Sequence, residues 1–188
     1  MSDAGARRAV FLDRDGTISE EMGFLNHLSR FRLFPFAPLA IRRLNEAGVP
    51  VIVVTNQSGV ARGYFPESLV HRVHEKMRTE LAAGGAHVDG IYFCPHRPDD
   101  ACSCRKPHPG MLERAAREHK LALAGSYVVG DRYDDLETAQ RIGGRGILVL
   151  TGYGRGEYEL HRSVWSKPPD HVTEDLSVAV DVILKELR

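Results

Sequence analysis

What most constrains this chain is a recurring unit, a short apolar run that stops abruptly at polar residues. AVFL runs into Asp13 and Asp15, PVIVV into Thr55 and Asn56, IYF into Cys94 and His96, and YVVG into Asp131. Such short, β-branched runs suit strands buried on both faces, and the amphipathic stretches between them suit covering helices. The expected fold is therefore α/β, a Rossmann-like parallel sheet with helices on both faces. Strands are expected at Ala9–Leu12, Pro50–Val54, Gly90–Phe93, Tyr127–Val129 and Gly146–Leu150. Helices are expected at Pro38–Ala47, Pro66–Ala83, Gly110–His119, Leu136–Ile142 and Ser177–Leu187, with Gly48 placed to stop the first and Pro66 to open the second. Gly152–Asp170, rich in glycine, proline and charge, reads as a loop excursion. In open α/β sheets ligands bind beyond the carboxyl ends of the strands, so the polar ends of these runs should share one edge.

The 188 residues fit a single domain spanning 1–188. Lys plus Arg and Asp plus Glu number 25 each, and this balance argues against a nucleic-acid or anionic-membrane partner. No apolar run reaches membrane-spanning length, and the start, MSDAGARRAVFLD, lacks the apolar stretch of a signal peptide. A cytoplasmic monomer acting on a small molecule is expected. The gap from Thr17 to Pro38 leaves no room for a large cap domain.

FLDRDGT places two carboxylates, Asp13 and Asp15, two residues apart where a strand ends. Held close, they would raise one another's pKa unless a cation lay between them, and Mg²⁺ is suited to oxygen ligands and to phosphate. One carboxylate can attack phosphorus while the other protonates the leaving oxygen and later activates water. Taken alone, Asp-x-Asp-Gly is equally a polar turn. Thr55 and Asn56 add donors for phosphate oxygens, Lys106 a cation for the transferring group, and Arg105 a fork for a second anion. Asp131 is placed to complete the Mg²⁺ shell. Asp134 or Asp135 would orient waters or cap the next helix.

Three cysteines and a histidine read C-x-H-x5-C-x-C: Cys94, His96, Cys102 and Cys104. That set suits a closed, structural Zn²⁺ site pinning the loop at about 94–104 and so positioning Arg105 and Lys106. The alternative is three free thiols near a histidine. His27 could touch substrate. His71, His74, His87, His119, His161 and His171 read as surface residues.

FLDRDGT, VVTNQSG, RKP and VVGD together resemble the four motifs of the haloacid dehalogenase-like (HAD) phosphatase superfamily, across roughly Val10 to Leu150. The CPH…CSC loop is similar to that of the branch holding heptose bisphosphate phosphatases and histidinol-phosphatases. TNQSGVARG, GFLNH and RKPHPGM look most like the former. The resemblance implies a HAD-like fold and Asp13 as nucleophile, forming an aspartyl-phosphate, with Asp15 as general acid/base. It further implies Mg²⁺ held by the Asp13 carboxylate, the Asp15 backbone carbonyl and Asp131, with Thr55 and Lys106 stabilising the phosphoryl group. Glu21, Met22, Gly23, Phe24, Thr55, Asn56, Gln57, Ser58 and Arg132 fall where that family contacts the sugar phosphate, and Arg105 would assist recognition. The implied reaction removes one phosphate from a heptose bisphosphate during synthesis of nucleotide-activated heptose for surface glycans.

Histidinol phosphate is the competing substrate, kept open by Glu20 and Glu21, which could face its cationic groups. A DNA 3′-phosphatase shares a similar motif around TNQ but is disfavoured by zero net charge. A silent binding scaffold is disfavoured by the intact set Asp13, Asp15, Thr55 and Lys106.

Overall fold

A computed structural model describes residues 6–187; part of the MSDAGARRAVFLD start and the last residue of the expected 1–188 domain lie outside them. Six strands form one sheet: β1 (Arg7–Leu12), β2 (Val51–Asn56), β3 (Gly90–Cys94), β4 (Leu121–Gly130), β5 (Arg145–Val149) and β6 (His171–Thr173). Their order is β3-β2-β1-β4-β5-β6 and every pairing is parallel. Parallel neighbours need crossovers, and six helices accompany the sheet: α1 (Ala37–Glu46), α2 (Glu67–Ala83), α3 (Gly110–His119), α4 (Tyr133–Arg141), α5 (Gly154–His161) and α6 (Leu176–Glu186).

Alternate residues of each central strand bury into opposite layers, as the period of two requires. Val10, Leu12, Val51 and Val53 pack with Ile41 and Leu44 of α1, Val73 and Met77 of α2, and Val180 and Ile183 of α6. Phe11, Ile52, Val54 and Val128 face the other way, onto Met111, Leu112 and Ala115 of α3 and Ala139 of α4. The α/β architecture with helices on both faces is as expected. Gly48, at φ 70°, follows the last turn of α1 in the left-handed conformation that its position predicted. Pro66 sits one residue earlier than expected, as the extended N-cap of α2.

Three local expectations fail. The Gly152–Asp170 segment is not all loop, because it contains α5, whose Gly154 and Gly156 weaken the helical signal. Beyond α5, Trp165 stacks on Tyr133 with ring centroids 4.9 Å apart, holding this excursion against α4. β6 is a sixth strand, a three-residue edge piece that gives no apolar run to read. β4 begins at Leu121 rather than Tyr127. Its first half, LALAGS, carries small residues, and the register with β1 shifts between Arg8 and Val10.

Candidate active site

β1 and β4 lie side by side at the centre of the sheet, where the strand order reverses, so a crevice opens beyond their carboxyl ends. Asp13 follows β1, and its N–H donates to the Val129 carbonyl on β4 at 2.9 Å, which fixes it at the sheet edge. Asp131 follows β4 and is fully buried. Gly16 and Gly152, both at positive φ, cradle it, and a Cβ on either would collide with the Asp131 carboxylate.

Lys106 connects this edge. Its ammonium lies 3.0 Å from Asp13 Oδ1 and 2.6 Å from Asp135 Oδ1, and it donates to the Val54 carbonyl at 2.9 Å. Burial disfavours a charged lysine, but the two flanking carboxylates outweigh it and hold the Lys106 pKa above its ordinary value. Burial likewise pushes Asp13 up to about 6, against the pull of Lys106. Asp131 is pushed further, to about 9, by burial and then by the charges of Asp13 and Asp135.

Asp13, Asp131 and Asp135 can each bring a carboxylate oxygen within 4.8 Å of the others. Their saturation differs. Asp135 is committed to Lys106 and to the backbone N–H of Arg132, closing the first turn of α4, so the capping reading of Asp135 holds. Asp131 accepts from the Tyr153 N–H through Oδ2, while its buried Oδ1 meets no hydrogen-bond partner. An orphaned carboxylate oxygen beside a second carboxylate is the chemistry that a hard divalent cation satisfies.

Asp15 stands just past the strand end, clamped from several sides. Arg14 grips it with Nε on Oδ1 at 3.0 Å and Nη2 on Oδ2 at 2.7 Å. Gln57 Nε2 donates to Oδ2 at 2.9 Å and also to Thr55 Oγ1 at 2.9 Å, and Ser19 Oγ donates to Oδ1 at 3.3 Å. Arg14 is only 1% exposed, which sequence reading passed over because the middle residue of DRD reads as a solvated charge.

A cleft of about 320 Å³ opens over these groups. Of the sequence-predicted residues it brings together Asp13, Asp15, Thr55, Lys106, Glu21, Gly23, Phe24, Asn56, Gln57, Ser58, Arg105 and Arg132. Met22 is not in its lining; its carbonyl accepts from Arg30 Nη2 at 3.1 Å. His27 also stays outside, capping a short 3₁₀ turn through Ser29. Asn56 holds Lys106 through its backbone, both accepting from the N–H and donating to the carbonyl at 3.1 Å. Glu21 is pushed up to about 7, chiefly by burial, then by Asp15. Sequence reading missed Arg62, Phe65, Pro98 and Tyr153, which line the rim; only ARGYF, downstream of TNQSG, hinted at the first two.

Cys94, His96, Cys102 and Cys104 meet beside the cleft, all four ligand atoms within 4.8 Å of one another. His96 presents Nδ1, 3.5 Å from Cys94 Sγ and 3.2 Å from Cys104 Sγ, and no cysteine is paired in a disulfide. Burial pushes the Cys94 thiol up. At Cys102 the Arg105 N–H and the neighbouring thiols overcome burial and bring it down to about 7. Three sulfurs and an imidazole, four ligand atoms of the kinds that a tetrahedral site uses, fit a structural zinc ion.

The HAD-hydrolase-like family model matches residues 103–179. The D-glycero-D-manno-heptose-1,7-bisphosphate 7-phosphatase of Thermosynechococcus vestitus is 41% identical over 196 residues, covering 96% of this chain and 97% of that one. This chain belongs to the HAD-like phosphatases. Among them, the D-glycero-beta-D-manno-heptose-1,7-bisphosphate 7-phosphatase of Bordetella bronchiseptica is 38% identical over 95% of this chain and 99% of its own length. The crystal structure of D,D-heptose 1,7-bisphosphate phosphatase from B. bronchiseptica, complexed with magnesium and phosphate, superposes with a TM-score of 0.87 at 39% identity, covering 95% of this chain and 99% of that one. The HAD-like assignment agrees with the parallel sheet and the polar edge. Among the described residues, no helix is long and apolar enough to cross a membrane.

Proposed function

We propose that this chain is a magnesium-dependent phosphatase that removes the 7-phosphate of D-glycero-D-manno-heptose 1,7-bisphosphate through an aspartyl-phosphate on Asp13. The observation that carries this is the convergence of Asp13, Lys106 and the orphaned Asp131 Oδ1 at the reversal of the strand order. The heptose bisphosphate phosphatases to which it is about 40% identical over nearly its whole length support the substrate.

The carboxylate of Asp13 attacks phosphorus, and the bond from phosphorus to the sugar oxygen breaks as that oxygen takes a proton from Asp15. Water then attacks the phosphoryl group, giving a proton to Asp15, and the bond from phosphorus to Asp13 breaks to release phosphate. Lys106 and Thr55 face the charge that builds on the transferring oxygens. Asp13 and Asp131, with the Asp15 backbone carbonyl, would hold Mg²⁺, which neutralises phosphate charge when bound. Cys94, His96, Cys102 and Cys104 would hold Zn²⁺ as a structural pin. Arg62, Arg105 and Arg132 line the same cleft and suit a second phosphate at the far end of the substrate.

These three guanidinium groups favour a bisphosphate over histidinol phosphate, whose amine would meet them; only Glu21 of the two glutamates lines the cleft. Phosphate release from the heptose bisphosphate, fructose 1,6-bisphosphate and histidinol phosphate checks this. A strong preference for the heptose bisphosphate is expected, and equal turnover of all three would refute the substrate assignment.

A further inference from the structure

His74 lies on α2, far from the motifs that build the cleft, and sequence reading placed it on the surface. It is buried instead, only 6% exposed, with its ring against the edge of Phe93 on β3 at 5.7 Å. Its Nε2 lies 3.2 Å from Nη1 of Arg14. A guanidinium can only donate, so Nε2 must accept and the ring proton sits on Nδ1. Burial, followed by the Arg14 charge, pushes the imidazole down to about 3, which keeps it an acceptor across the neutral range.

Arg14 thereby has each of its three nitrogens assigned. Nε and Nη2 grip the two oxygens of Asp15, and Nη1 is anchored on His74. A guanidinium fork is planar, so fixing its third corner fixes the plane in which it presents the other two. A buried arginine without that acceptor would leave a donor unpaired and gain by turning away from Asp15.

We propose that His74 is a positioning residue of the phosphatase, an acceptor that orients Arg14 so that Arg14 holds the Asp15 carboxylate toward the leaving oxygen. This rests on the reading of Asp15 as general acid/base. It also predicts which step suffers. A sugar alkoxide needs a proton to leave, whereas p-nitrophenolate leaves without one, so misplacing the acid should slow the first substrate selectively.

The test compares His74→Leu, which removes the acceptor, with His74→Gln, whose amide oxygen can reach the place of Nε2. For each variant, kcat/KM is measured on heptose bisphosphate and on p-nitrophenyl phosphate, with circular dichroism and thermal midpoint as folding controls. H74L should lose roughly tenfold or more on the sugar substrate and less than about threefold on the aryl one. H74Q should stay within about threefold of the parent on both. Equal losses on the two substrates, or a glutamine as poor as the leucine, would overturn the proposal and leave His74 a packing residue. If H74L does not fold, His74→Asn takes its place, since its shorter amide cannot reach Nη1, and the same split is expected. Asp13→Asn and Asp15→Asn assayed alongside keep the two readings apart. Their inactivity with an unaffected H74L refutes only the positioning role, and full activity of both refutes the nucleophile and acid/base reading beneath it.

Discussion

The carboxylate cluster and the cysteine cluster lie on neighbouring elements and are built on opposite principles. Asp13 and Asp131 hang from the ends of central strands, Asp135 from the start of α4, and Lys106 reaches them from the loop before α3; each side chain is at most 11% exposed, and the one ammonium is shared between the carboxylates of Asp13 and Asp135. Cys94 ends β3 while His96, Cys102 and Cys104 sit on the loop that follows; their ligand atoms lie within 4.8 Å of one another, and of the four only Cys94 is fully buried. The first cluster takes its placement from the paired central strands, where the Asp13 N–H is tied to the Val129 carbonyl. The second has three of its four residues partly exposed, and a bound metal would hold its shape. Chemistry that demands placement within fractions of an ångström belongs on the first scaffold, and a replaceable pin on the second.

The largest effect that would sharpen this contrast is at the nucleophile. Asp13→Asn should lower phosphate release from the heptose bisphosphate by more than about 10³-fold, with the folded state retained, because the amide keeps the shape but cannot accept the phosphoryl group. Activity near that of the parent would mean that the strand-end cluster is not the reaction centre.

Next in size is Lys106→Met. It leaves Asp13 and Asp135 facing each other without their shared cation, and breaking such a buried pair costs about 3–5 kcal/mol. Denaturant unfolding of the metal-free protein should show that loss. Added Mg²⁺ should recover part of it, because a divalent cation among the same carboxylates replaces the missing charge. A variant as stable as the parent would break the claim that Lys106 is what balances the strand-end cluster.

The two clusters also differed in how they could be read. The cysteine set is local, its four ligands falling within eleven residues from Cys94 to Cys104, so spacing alone announced it. The carboxylate set spans Asp13 to Asp135 and became legible because Asp13 and Asp131 end apolar runs, which α/β topology sends to one edge, with Asp135 one turn further on as a cap of the next helix. What stayed hidden had no such address. Arg14 and His74 are polar residues buried by tertiary contact, and neither hydropathy nor spacing marks a charge that finds its partner sixty residues away. Met22 shows the converse, since its neighbours Glu21 and Gly23 line the cleft while Met22 itself does not. α5 and β6 escaped because glycine and brevity erased their local signal, although their contacts with β5 supply what propensity withholds.

Cys104→Ser tests the loop half of the comparison. Elemental analysis of the parent under metal-replete conditions should find about one zinc per chain, and the variant much less. The loop that carries the cysteines is stitched to the segment beside Arg62 of the cleft by Arg97, which donates to the Ala61 carbonyl at 3.1 and 2.9 Å, and by the Ala61 N–H on the Pro95 carbonyl at 3.2 Å. KM for the bisphosphate should therefore rise several-fold, roughly three- to tenfold, while kcat falls less. A collapse of kcat matching that of D13N would erase the distinction between a pin and a reaction centre.

The smallest effect concerns the buried imidazole behind Asp15, and it extends the comparison to a group that touches neither metal-type cluster. His74 titrates near 6.5 when unfolded and at about 3 when folded, so between those values the unfolded chain binds the extra proton. A depressed histidine contributes stability that is fully present above pH 6.5 and is lost as the pH falls toward 3. The groups facing it are Arg14 and Asp15 across the core and His71 and Arg78 on its own helix, and burial outweighs them all. Asp13, Glu21 and Asp131, whose pKa values are raised, respond oppositely to acid, but they do so equally in parent and variant. Denaturant midpoints of the parent and of H74Q, compared from pH 7 to pH 4, cancel those shared contributions. Below pH 6.5 the parent should lose stability faster than H74Q, by up to about 1.4 kcal/mol per pH unit, and above it the two curves should run parallel. Parallel curves throughout would mean that His74 meets water after all, and Arg14 would then lack the buried anchor that holds it on Asp15.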